Sequence, residues 1–226
     1  MLDALVKVKD YAASPGEVEL RGLLGAALTA DWCSALVARG FGWHVDVGAF
    51  STPIVGGGNG TVLDQDQPEL SLAIPSGFTF IPLRVHAQVQ VALLAADSEE
   101  SEILFAVDRI TLADVTAASG TVETPTNMRT DRIGGCPCPI LSAVTTNITN
   151  PALGVELARA VKLGDFQGTP ATTMLTDLAL LYEPIRPPFI VGPAGFYAYW
   201  GGTVAASGFL QMDFLVIPSS LVTGLA

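Results

Sequence analysis

The chain has 226 residues; half are apolar, only 15% are charged, and 22 acidic side chains outnumber 11 basic ones for a net charge of −11. This length supports one domain with a sizeable core, and Lys and Arg scattered without a cluster argue against binding nucleic acid or an anionic membrane surface. Ordinary soluble domains carry roughly 25% charged residues, and the mean hydropathy here is +0.47, so the composition points to surface hidden in an assembly.

Residues 1–10 carry Asp3, Lys7, Lys9 and Asp10 and lack the apolar centre of a secretory signal. The expectation is a protein made in the cytosol, in which the sequons at Asn59 and Asn147 are chance matches. Residues 1–40 are read as an assembly arm leading into a single domain spanning 1–226. Within them, Asp31 can cap one short helix running to Arg39, with Gly40 as its stop.

Period-two alternation dominates the chain beyond Gly40. Residues 43–47 form a strand with Trp43, Val45 and Val47 inward. After the glycine run 56–60, Asp64, Asp66 and Glu69 offer alternating carboxylates. A calcium loop would need a glycine and a bidentate Glu in register, and both are displaced, so a solvated acidic loop is expected. Strand 70–74 and the turn at Pro75-Ser76-Gly77 lead into a long strand, 81–93. It places Ile81, Leu83, Val85, Ala87, Val89, Val91 and Leu93 on one face, with Arg84, His86, Gln88 and Gln90 on the other.

Residues 97–102 read as an acidic hairpin tip and 103–107 as a strand. A Gly/Thr/Pro-rich excursion covers 113–139, and 140–148 is read as a strand. Residues 155–163 and 175–182 read as further strands, although a helix could be argued for either. Strands 196–200 and 209–217 close the chain, with Tyr197 and Tyr199 on one face and Phe196, Ala198 and Trp200 on the other. Residues 187–212 carry no charge, but their prolines and glycines break any membrane-spanning helix. Such a stretch must be covered, by the chain's own core or by another subunit. Strands with this punctuation make an all-β sandwich, and long crossing loops suit a jelly-roll type with one short helix. The absence of an internal period argues against a propeller or solenoid.

Chemical signals are sparse. Three cysteines form no disulfide framework; Cys136 and Cys138 are too close to bridge without strain. A zinc site from His44, His86, Cys136 and Cys138 departs from the usual ligand spacing. Nucleophile-elbow, phosphate-loop, zinc-protease and dinucleotide motifs are all missing. A cupin-type enzyme would need several histidines on neighbouring strands, and the chain has only His44 and His86. No catalytic, cofactor-binding or metal residue is assigned, and the reading is non-enzymatic, with no cofactor.

Two segments carry a resemblance. Residues 73–83 set a Pro-x-Gly turn before a long alternating strand, and Pro187-Pro188-Phe189-Ile190-Val191-Gly192-Pro193 leads into the closing strands. Together they resemble the jelly-roll virion proteins of tailed bacteriophages. The resemblance implies an oligomerising capsid or capsid-surface (decoration) subunit, commonly a trimer. Its partners would be its own copies and other virion proteins, and its place the virion. Tyr197, Tyr199, Trp200, Leu210 and Phe214 are the candidates for the interface or the core beside it. The alternative is a carbohydrate- or receptor-binding sandwich of a phage tail or fibre, stacking sugars on Trp43, Tyr199 or Trp200.

Overall fold

The alternating runs become strands of two antiparallel sheets that face each other. The computed structural model describes residues 7–9, 17–19, 32–56, 63–64, 66–93, 99–108, 119–132, 134–145, 153–164, 174–202 and 206–223. In chain order the elements are β1 (Lys7–Lys9), β2 (Glu17–Glu19), α1 (Trp32–Ala38), β3 (Gly42–Val47), β4 (Ile54–Val55), β5 (Leu70–Ile74), β6 (Phe78–Leu93) and β7 (Glu99–Asp108). They continue with β8 (Thr121–Glu123), β9 (Thr126–Asn127), β10 (Ile140–Ser142), β11 (Leu153–Gly164), β12 (Met174–Tyr182), β13 (Ile190–Val191), β14 (Ala194–Gly202), β15 (Ala206–Pro218) and α2 (Ser220–Thr223).

Sheet one has the order β11-β7-β14-β5-β10-β8, and sheet two the order β12-β6-β15-β3-β9, with β13 added to β6 and β4 to β15. β1 and β2 pair with each other in a separate ribbon. The eight principal strands are β3, β5, β6, β7, β11, β12, β14 and β15. Counted in that order, the first pairs with the eighth, the second with the seventh, the third with the sixth and the fourth with the fifth. The all-β sandwich is thus as the sequence implies, and both ambiguous segments are strands.

Alternation places Trp43, Val45 and Val47 of β3 in the core between the sheets, as expected. They meet Leu70, Leu72 and Ile74 of β5 and Ile103, Phe105 and Val107 of β7. At its centre Phe80 lies 5.4 Å from both Phe196 and Phe214, ring centre to ring centre. Burying each such ring removes 150–250 Å² of surface from water, about 3 kcal/mol or more at the usual transfer coefficient.

The long strand departs from strict alternation. Asp213 pairs with Arg84 and Phe214 with Pro82, so Leu83 is an extra residue on β6. This bulge flips the faces: Phe80 and Val85 point into the sandwich, whereas Ile81 and Leu83 pack outside with Leu215 and Ile217. Pro82 is the physical reason, because it has no N–H for a central ladder and bulges accommodate it.

That outer patch is covered by Leu36 and Val37 of α1, Phe41, and Leu221 and Val222 of α2. So within residues 1–40, α1 packs on sheet two. Gly40 ends α1 at φ +80°, a backbone state few other residues adopt. The helix's last carbonyls are held by the 126–132 segment. Asn127 Nδ2 donates to Gly40 O at 2.9 Å, Arg129 Nη1 to Ala38 O at 3.0 Å and Arg132 Nη1 to Arg39 O at 2.8 Å. Two cations there also suit the negative end of the helix dipole. Within the excursion, the segment 126–132 therefore braces the helix. The expected strand 140–148 is β10 only as far as Ser142, and its residues 146–148, Asp31 and both sequons lie outside the described residues.

Candidate assembly surface

All five interface candidates lie inside the single chain. Trp200, Leu210 and Phe214 face the inter-sheet core, each at most 1% exposed. Tyr197 and Tyr199, also 1% exposed, occupy the outer face of sheet one beneath Leu63, Leu141 and Val144. Their rings pack 6.0 Å apart. Burial pushes the Tyr199 phenol well above its ordinary range, with Tyr197, Glu69, Asp108 and Asp66 adding to the shift. The chain's own core thus covers the inward residues of β14 and β15 and the two tyrosines of β14, and these positions need no second subunit to cover them.

The acidic loop corrects a second expectation. Asp64 Oδ1 accepts from the Asp66 N–H at 3.0 Å, a local turn bond. Glu69 is only 2% exposed and its carboxylate accepts the Trp200 N–H at 2.8 Å. Its backbone N–H donates to Ala198 O and its carbonyl accepts from Ala143 N–H, both at 3.0 Å. Glu69 is therefore a buried tie for β14 rather than a solvated carboxylate. In the expected acidic tip 97–102, the residues from Glu99 onward belong to β7, where Glu99 pairs with Gly164 and Glu100 with Leu163.

Exposed apolar side chains gather elsewhere. A groove of about 420 Å³ is lined by residues that include Val155, Leu157, Pro188, Phe189, Val191 and Pro193, and none of its lining residues is charged. Val155, Phe189 and Val191 are 45–47% exposed. Trp32, 43% exposed, stacks on Phe189 with ring centres 5.8 Å apart. Further along the same connection Ile185 is wholly exposed. The sequence reading missed these residues. The available signal was the double proline before Phe189, which leaves the segment unable to form a long ladder.

Beyond the patch under the two helices, the outer face of sheet two is polar around His44. His44 on β3 stands between two carboxylates: Nδ1 lies 2.6 Å from Asp213 Oδ1, and Nε2 lies 3.0 Å from Asp46 Oδ2. Gln211 Nε2 donates to the second Asp46 oxygen at 3.0 Å. Partial burial alone would lower the imidazole pKa; the hydrogen bonds to Asp213 and Asp46 outweigh it and hold the pKa above its ordinary value. Both ring nitrogens are thus engaged, and Cys138 is buried in the inter-sheet core. The conceivable zinc quartet is not brought together; among the described residues no group of three or more His, Cys, Asp or Glu is placed to hold a metal ion.

At the sandwich edge, Arg159 of β11 bonds Glu156 through Nη2 at 2.8 Å and also meets Glu102 of β7. Lys162 Nζ donates to Asp177 O at 2.9 Å, joining β11 to β12 across the two sheets. Among the described residues no helix is long and apolar enough to cross a membrane. Comparison with protein-family models, with curated proteins and with solved structures finds no match for this chain.

Proposed function

We propose that the sandwich is a jelly roll and that the chain is a non-enzymatic virion structural protein, an oligomerising capsid or capsid-surface subunit made in the host cytoplasm. The first-with-eighth, second-with-seventh pairing supports the fold, because a long antiparallel ribbon rolled into two facing sheets gives that order and two Greek keys. One observation carries the assembly: the uncharged groove flanked by half-exposed Trp32, Phe189, Val155 and Val191. With a net charge of −11, copies of this chain repel at long range, so they associate where charge is absent. The partners are further copies, in a trimer, and other virion proteins. A glycan-binding role has less support, since Trp43, Tyr199 and Trp200 are at most 4% exposed.

Light scattering and sedimentation at micromolar concentration test this reading. The wild-type chain is expected as an oligomer, and Phe189→Ser combined with Val191→Ser is expected to shift it towards monomer with an unchanged far-ultraviolet spectrum. A wild-type chain that stays monomeric throughout that range would remove the reading.

A further inference from the structure

Cys136 and Cys138 are left unused by the assembly reading, and their surroundings differ sharply. Cys138 is 1% exposed and belongs to the inter-sheet core, whereas Cys136 is half-buried at the edge of that core. Interaction with Cys138 holds the Cys136 thiol below its ordinary pKa against the opposing effect of partial burial, whereas Cys136 and burial together push the Cys138 thiol up. Just before them Gly134 and Gly135 are exposed, with open space where a side chain would stand, and Gly134 has φ +150°. The backbone leading to Cys136 therefore has room to re-aim that residue, while the core holds Cys138 in place.

We propose that Cys136 and Cys138 form a peroxide-reactive thiol pair, in which Cys136 is oxidised first and Cys138 resolves it to an intramolecular disulfide. In the first step the Cys136 thiolate attacks a hydroperoxide oxygen. An S–O bond forms, the O–O bond breaks, and the departing oxygen takes up a proton and leaves as water or an alcohol. In the second step the Cys138 sulfur attacks the sulfenic sulfur. An S–S bond forms, the S–O bond breaks, and the released hydroxide takes the Cys138 proton and leaves as water. A bridge between residues two apart is strained, and strained bridges are the readily reduced ones, so the modification is reversible. Cys33 lies on α1 and takes no part.

The test treats the whole chain with hydrogen peroxide, with and without dimedone, and weighs the digested peptides by mass spectrometry. Expected are loss of two hydrogen atoms from the peptide holding both residues, its recovery with dithiothreitol, and no alkylation of either Cys136 or Cys138 in the oxidised protein. In Cys138→Ser the dimedone adduct on Cys136 should rise several-fold, because nothing resolves the sulfenic acid; in Cys136→Ser the buried Cys138 should stay reduced. Circular dichroism checks that the core variant folds; if it does not, the wild-type peptide masses decide alone. The proposal is overturned if Cys136 stays reduced under peroxide that oxidises Cys33, if the disulfide joins two chains, or if Cys136 over-oxidises while Cys138 keeps its proton.

Discussion

The uncharged run 187–212 divides into two regions with opposite fates. From Phe196 to Trp200 both faces are buried, the inward one between the sheets and the outward one at Tyr197 and Tyr199, and along β15 the inward Ala206, Leu210 and Met212 are buried between the sheets. At Phe189 and Val191 the same neutral chemistry sits half-exposed along a groove. The difference lies in the ladder. β14 has β7 on one side and β5 on the other, and β15 lies between β6 and β3. By contrast β13 makes only two residue pairs, with β6, behind Pro187 and Pro188. A lack of charge therefore marks what must be covered, and strand pairing decides whether the chain covers it itself.

The largest effect should come from breaking the buried region. Trp200 fills the core and its Nε1 donates to Ile54 O at 3.3 Å. Trp200→Ala should cost about 3–5 kcal/mol, read as a lowered urea midpoint. Phe189→Ser in the exposed region should leave that midpoint within about 0.5 kcal/mol while weakening self-association. Equal losses at the two positions would erase the distinction.

Glu69 probes how the buried region is tied down. Glu69→Ala leaves the Trp200 N–H without its carboxylate acceptor, which should cost about 1–3 kcal/mol by chemical denaturation. The unchanged stability of such a variant would show that the tie carries no weight.

The smallest effect belongs to the polar face, where His44 joins β3 to β15. Its folded pKa lies above the ordinary 6.5. Its contribution is therefore fully present below the unfolded value and is lost as pH rises through the folded one. His44 is more than a third exposed, so solvent screening keeps the contribution below about 1 kcal/mol. Denaturation at a series of pH values from just below 6.5 upwards should show a small fall that His44→Gln flattens; an identical fall in the variant would assign it to other groups.

Much of the sandwich was legible along the chain. The alternation at Trp43, Val45 and Val47 and at Phe196 to Trp200 is a local property of strands, and each predicted face is the observed one. The Leu83 bulge was less so. Its one sign was Pro82, and the register shift is defined only against Asp213 and Phe214, which arrive 130 residues later. Glu69 looked like a solvated carboxylate because its partner, the Trp200 N–H, is equally remote. The interface candidates were chosen for being apolar and aromatic, and those properties select core residues just as well.

By itself the sequence determined the strand-rich class, the acidic and charge-poor composition, the short helix with its Gly40 stop, and which side chains share a face. These follow from steric and solvation preferences acting within a few residues. Only the tertiary structure decided which neutral face stays open, that Glu69 and the two tyrosines are internal, that His44 stands between Asp46 and Asp213, and that the groove is assembled from β7, β11 and the 188–194 segment, with Trp32 of α1 stacked on Phe189. Those outcomes depend on strands far apart in the chain being laid side by side, and hydrogen-bond pairing across the sheets creates neighbours that local preference does not specify.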